Sequence, residues 1–218
     1  MVQAAVLRLR RSFTHALLVG DPEAAERAAR EAIDNGMTTA AIDVELISPA
    51  LFIVGEKWAL GEITVADEHL ASEIALRVLA LLRVARRAQR ERVGRRVLLL
   101  APEGERHTIG LNMACDLLLA AGYETRLLGA DVPLTDIAVS VTRHAADIVA
   151  MTATMANSVE RVDAALDYLR AVHPGIAVLL GGRAITFELG AAWSASVCPD
   201  VSSVVEAADA LTYHAPLN

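Results

Sequence analysis

From residue 97 onward, short apolar runs alternate with stretches of helical periodicity, and nothing else in the chain constrains the fold as strongly. Val97–Ala101, Glu124–Leu128, Ile148–Thr152, Ile176–Leu180 and Val197–Val201 read as strands. Between them Leu111–Ala121, Leu134–His144, Val159–Val172 and Arg183–Ala192 read as helices, and Ser203–Tyr213 as a last one. Gly122, Gly129, Pro174-Gly175 and Gly181-Gly182 supply the breaks. Strict β-α alternation predicts a parallel sheet covered on both faces. Five strands in this order suit a doubly wound, flavodoxin- or Rossmann-like α/β domain.

The first ninety or so residues read as helices alone. Ala4–Leu18 has helical spacing, broken by Gly20-Asp21-Pro22, where Asp21 caps and Pro22 opens the next helix. Glu23–Asn35 follows and stops at Asn35-Gly36. Thr38–Trp58 is a third helix with a bend expected near Pro49, and Thr64–Arg90 a long fourth. Four helices joined by short turns predict a small bundle. Hydrophobic periodicity lapses over Arg86–Arg95, so the expected domains are 1–92 and 93–218.

Composition excludes several classes. The chain is 54% hydrophobic yet only 4% aromatic, which suits aliphatic helices and strands. No apolar run approaches the roughly 18 to 20 residues of a membrane span. The N-terminus lacks a secretory h-region and cleavage site. Net charge is −7, and the basic run Arg83–Arg96 reads as a solvated helix end and linker, not a nucleic-acid face. Cys115 and Cys198 form no C-x-x-C pattern and fit free thiols in a reducing cytoplasm. No direct DNA binding and no membrane association is expected.

The chemistry concentrates at one edge. Ligands of an open α/β sheet bind outside the carboxyl ends of its strands. There the first strand is followed by Glu105-Arg106-His107-Thr108-Ile109-Gly110, the third by Thr152, Thr154 and Met155, and the fourth by Gly181-Gly182. The first, third and fourth strands are neighbours in a doubly wound sheet, so these loops should line one crevice. His107 is a candidate metal ligand, Glu105 can hold its second ring nitrogen, and a glycine pair admits a large planar group. Taken singly, each has an ordinary reading: a surface histidine, a helix cap, a turn.

Together these residues resemble the cobalamin-binding domain family, with its D-x-H-x-x-G after strand one, a serine region after strand three and G-G after strand four. They stand here as Glu105-x-His107-x-x-Gly110, Thr152-Ala153-Thr154-Met155 and Gly181-Gly182. Glu105 occupies the Asp position and Thr152 the Ser position; Leu128–Pro133 is similar to the second-strand loop. The resemblance implies that His107 replaces the cofactor's own base beneath cobalt, and that the displaced nucleotide tail enters a slot bounded by the other loops. It also implies a helical cap, residues 1–92, over the upper corrin face.

Within that family Trp58, followed after nine residues by Glu68-His69, resembles the light-sensing branch typified by light-dependent carotenoid repressors. The resemblance implies that Trp58 packs on a 5′-deoxyadenosyl group, with Glu68 and His69 beside it. The repressors' histidine directly after the Trp is Ala59 here, so an adduct through that side chain cannot form after light; His69 or water would take the site. No winged helix precedes the bundle, which points away from operator binding and toward a protein signalling partner. The expected protein is a cytoplasmic adenosylcobalamin photoreceptor, a dimer or tetramer with light-dependent assembly. Related photocobilins add biliverdin, for which Arg77 and Arg83 are candidate propionate partners. Two other readings stay open: a corrinoid protein carrying methyl groups for methyltransferases, and a non-photochemical cobalamin-binding antirepressor.

Overall fold

The computed structural model describes residues 2–85 and 91–213, in two compact units, Met1–Arg87 and Ala88–Asn218. Residues 86–90, within the expected boundary and the end of the expected fourth helix, lie outside the described residues.

The first unit is helical: α1 (Val2–Val19), α2 (Pro22–Asp34), α3 (Thr39–Ile42), α4 (Ser48–Ala59) and α5 (Val65–Ala85). Asp21 Oδ1 accepts from Ala24 N at 2.9 Å and Pro22 holds the first helical position, as the sequence indicates. The buried face of α2 is entirely alanine (Ala25, Ala28, Ala29, Ala32), and this small stripe lies between α1 and α5. Those helices contribute the bulk, with Leu9, Phe13, Leu17, Val78, Leu79 and Leu82 buried. Each such large side chain contributes roughly 1.5–3 kcal/mol.

The third helix is one continuous rod with a fault in it. A π turn, Asp43–Ile47, joins α3 to α4, with Ser48 N donating to Asp43 O. The irregularity falls just before Pro49 for a physical reason. Proline has no N–H, so Glu45 O would lose its partner in an α-helix. Arg10 of α1 replaces it: Nε donates to Glu45 O at 2.5 Å and Nη2 to Glu45 Oε2 at 2.6 Å.

The second unit is a five-stranded parallel sheet in the order β2-β1-β3-β4-β5. The strands are β1 (Arg96–Pro102), β2 (Glu124–Val132), β3 (Ile148–Thr152), β4 (Ala177–Gly181) and β5 (Ser196–Val197). The helices are α6 (Ile109–Ala120), α7 (Leu134–His144), α8 (Val159–Val172), α9 (Phe187–Ala192) and α10 (Val204–Tyr213). The doubly wound α/β fold expected from the sequence is therefore present. Register aligns Leu98 with Val149 and Val149 with Val178, and likewise Leu100, Met151 and Leu180. These alternate positions share one core with Ile137 and Val141 of α7 and Val162, Leu166 and Leu169 of α8. α6 and α10 pack together, and Tyr123 Oη donates to Asp209 Oδ1 at 2.6 Å.

Three expected boundaries shift. β2 does not stop at Gly129. The register slips where Leu99 pairs Leu127 but Leu100 pairs Gly129, a bulge that Gly129 (φ +93°) permits, and the strand runs on to Val132. β5 is two residues long, not Val197–Val201, because Asp200 caps a 3-10 turn over Val201–Ser203. α9 begins at Phe187, not Arg183, because Thr186 Oγ1 accepts from Leu189 N at 3.3 Å.

Candidate functional site

The strand order reverses between β1 and β3, the point at whose carboxyl ends such sheets bind their ligands. The residue that organises it is Glu105, 1% exposed directly beyond β1. A buried carboxylate must be hydrogen-bonded, and both oxygens are used. Oε1 accepts from His107 N at 2.9 Å and pairs with His107 Nδ1 at 2.5 Å. Oε2 accepts from Thr154 N at 2.8 Å. The buried Ser158 hydroxyl also hydrogen-bonds Glu105. Burial alone would push this carboxyl up. The donors from His107, Thr154 and Ser158 outweigh burial and hold it down at about 2.

Glu105 therefore makes the histidine hydrogen bond expected of the family's Asp, and its second oxygen also accepts from the β3 loop. With Nδ1–H donating to the carboxylate, the lone pair of the neutral ring sits on Nε2. The His107 side chain is 51% exposed while its orienting partner is buried, the arrangement of a metal ligand fixed by an outer carboxylate.

Four further hydrogen bonds tie this region together. Gly104 N donates to Asp131 Oδ1 at 2.6 Å, and Asp131 N returns to Glu105 O at 3.1 Å, with Asp131 in the left-handed region (φ +59°). On the other side Ala153 N donates to Gly181 O at 3.0 Å and Ala184 N to Ala153 O at 3.1 Å. The loops after β1, β3 and β4 and the last residues of β2 thus form one hydrogen-bonded ledge.

The glycines divide into two kinds. Gly182 is demanded by the backbone: at φ +101° a Cβ would lie 2.2 Å from Ala153 O and 2.7 Å from Thr152 Oγ1. Gly110 and Gly181 are not so demanded. A Cβ at Gly110 would meet nothing within 4 Å, and one at Gly181 only Cys198 O at 3.7 Å. Glycine where the protein has room for a side chain leaves space for a ligand to approach the backbone.

The structure brings Glu105, His107, Thr152, Thr154, Gly181 and Gly182 to this ledge. Thr152 is buried at the end of β3, and Thr154 serves through its backbone N–H. Neither caps a helix; Ser158 holds the cap position of α8. Arg106 and Met155 are exposed, and Thr108 and Ile109 are half-buried where α6 begins. Sequence reading missed Ser158 and the role of Asp131. A buried serine shortly after the Thr152–Met155 motif was the available signal for the first; a non-glycine at positive φ leaves no sequence signal.

In the helical unit, Trp58 ends α4 and is 39% exposed. Thr64 and Asp67 cap α5 reciprocally: Asp67 Oδ2 accepts from Thr64 N at 2.8 Å and Thr64 Oγ1 accepts from Asp67 N at 3.2 Å. That puts Glu68 and His69 in the first turn. Glu68 Oε2 pairs with His69 Nδ1 at 2.7 Å, and Ser72 Oγ donates to Glu68 Oε1 at 2.8 Å. Arg77, one of the bases named for a bilin, is ion-paired to Glu26.

Comparison with known proteins settles the family. Two B12 binding domain families match, one over residues 95–212 and one over residues 9–83. The chain belongs to the B12-binding family. It is 37% identical to the HTH-type transcriptional repressor CarH of Myxococcus xanthus over 141 residues, 64% of this chain but only 46% of the repressor. It is 26% identical to the trimethylamine corrinoid protein of Methanosarcina barkeri over 83% of each chain. The fold matches the monomethylamine corrinoid protein of that organism with a TM-score of 0.80, at 18% identity, covering 98% of this chain and 100% of that one. A corrinoid protein of Desulfitobacterium hafniense is 23% identical over 81% of this chain.

The cofactor of this B12-binding protein is a cobalamin, and the donor set fits it. Among the described residues no group of three His, Cys, Asp or Glu side chains could hold a bare metal ion. A single oriented imidazole suits a metal whose other ligands come from a macrocycle. Among the described residues no helix is long and apolar enough to cross a membrane.

Proposed function

We propose that this B12-binding protein is a cytoplasmic, adenosylcobalamin-dependent light sensor that signals to a protein partner and is not itself an enzyme. The observation that carries the reading is Trp58 followed after nine residues by Glu68-His69, joined to 37% identity with a B12-family repressor across 64% of the chain. His107 is the lower cobalt ligand, and Glu105 orients its ring and keeps Nε2 basic. Glu105, Arg106, Thr108, Ile109 and Gly110 border the corrin's lower face. Thr152, Thr154, Met155, Gly181 and Gly182 bound the slot for the displaced nucleotide tail. Trp58 gives the adenosyl group a flat apolar wall, and Glu68 and His69 give its ribose and purine polar partners.

Bound adenosylcobalamin supplies a light-labile cobalt–carbon bond. Loss of the adenosyl group would leave Trp58 and Glu68 without their occupant and would change the surface they form. That local packing change is the signal, read as a change in self-assembly between dimer and tetramer and in partner binding. Ala59 offers no ligand, so His69 or water would have to serve cobalt in its place. A biliverdin beside the cobalamin is the least supported element, since Glu26 already engages Arg77.

The test is an absorption spectrum of the cobalamin-loaded protein before and after green light. A lasting spectral change is expected; an unchanged spectrum in intact, loaded protein overturns the photoreceptor reading. A second reading is favoured by length: the match to the trimethylamine corrinoid protein spans 83% of that protein, against 46% for the repressor. On that reading the chain carries methyl groups for a methyltransferase. Tighter binding of methyl- than adenosylcobalamin, with no light response, would establish it. Equal partner binding in dark and light would favour the antirepressor form.

A further inference from the structure

At the amino edge of the sheet, away from the His107 ledge, lies a cleft of about 200 Å³. It is lined by Arg96, Val97 and Leu98 at the start of β1, Glu124 and Arg126 at the start of β2, Arg143 and His144 at the end of α7, and Ala146 just beyond it. Three guanidinium groups face one carboxylate in a chain whose net charge is −7. Charge of one sign gathered against the protein's overall sign focuses the local field on ligands of the other sign.

The existing contacts leave most of that charge unspent. Arg96 donates from Nη1 to Ala145 O at 3.2 Å, and its Nε stands 3.7 Å from Glu124 Oε2, a pair half-exposed on both sides. Arg126 donates only to the neighbouring carbonyl of Thr125, at 2.9 Å. Among the described residues, no hydrogen bond or ion pair engages the side chain of Arg143 or His144. Asp147, the other nearby acid, is already held by Arg95 Nη1 at 3.3 Å and Arg96 N at 2.8 Å. The cleft's floor is rigid, because Val97 and Leu98 are buried members of the central strand. Three arginines lining one small cavity offer planar guanidinium forks that match tetrahedral oxyanions, which accept paired N–H donors.

We propose that this cleft binds a small phosphate-class oxyanion, either inorganic phosphate or the phosphoryl group of a phosphomonoester, with Arg126 and Arg143 as its principal donors and Arg96 and His144 at its sides. The site is independent of the corrin reading, since it shares no residue with the ledge.

The experiment is calorimetric titration of the cobalamin-loaded protein with inorganic phosphate and, separately, with glycerol phosphate, against sodium chloride at matched ionic strength. Arg126→Gln/Arg143→Gln is the test variant. Arg11→Gln, exposed on α1, is the control for general loss of charge. Saturable binding of one anion per chain is expected, weakened at least tenfold in the double variant and unchanged in Arg11→Gln. Binding of both probes identifies the free anion class, and binding of glycerol phosphate alone identifies a phosphorylated ligand; either supports the site. Absence of saturable heat with both probes overturns it, as does equal binding by the double variant or the same response to chloride. Both substituted residues are exposed, and circular dichroism of the variant checks that it folds.

Discussion

The two regions argued to face the cofactor are built in opposite ways. At the ledge, a carboxylate that is 1% exposed holds His107 and Thr154 together, and three loops and the end of β2 share hydrogen bonds. In the helical unit, Trp58 is 39% exposed and the His69 side chain 73% exposed, tied only to its neighbour Glu68. One region is fixed before any ligand arrives; the other is a surface that a ligand would complete.

Breaking the ledge should cost most. Glu105→Ala leaves the N–H groups of His107 and Thr154 without their buried acceptor and is expected to destabilise the apo protein by about 3 kcal/mol, measured by urea denaturation. A change under about 1 kcal/mol would mean the clamp is not what holds the loops. Gly182→Ala should follow, at about 2–4 kcal/mol, since its Cβ meets Ala153 O and its φ is +101°. Gly181→Ala should leave apo stability within about 1 kcal/mol yet weaken cobalamin binding; equal effects of the two would erase the distinction between them.

A pH titration sharpens the same point. The Glu105 carboxyl falls from an ordinary value of 4.5 to about 2 on folding. A depressed carboxylate stabilises above its unfolded pKa, so the contribution is whole above pH 4.5 and is lost as pH falls from there toward 2. On the order of 3 kcal/mol should disappear across that window in wild type. Glu105→Gln should lack this part of the slope, and matching slopes would remove Glu105 from the acid response.

The smallest stability effect belongs to the helical unit. His69→Ala should change stability by no more than about 0.5 kcal/mol, because the side chain is mostly in water. Its consequence should appear only in the spectrum of the illuminated holoprotein, where a shift marks His69 as the ligand that serves in place of the histidine absent at Ala59. An illuminated spectrum identical to wild type would leave water in that place.

Much of this was legible beforehand. The apolar runs gave the parallel sheet because strands buried on both faces must be apolar throughout. His107, Thr152 and Gly181-Gly182 could be placed at one edge because strand order follows from alternation. Other features depended on backbone geometry with no side-chain code. β2 crosses Gly129 by a bulge where a break was expected, and the π turn at Asp43–Ile47 depends on Arg10, far off in sequence, reaching the carbonyl that Pro49 abandons.

The sequence by itself determined the layers, the edge that carries the chemistry and the imidazole, since these follow from periodicity and from the position of a motif after a strand. Only the tertiary structure decided that Glu105, one methylene longer than an aspartate, still holds His107 while also clasping Thr154. It alone separated Gly182, required by the fold, from Gly181, which the fold leaves open. Both outcomes are set by distances between loops remote in sequence, fixed only when the parallel strands come into register.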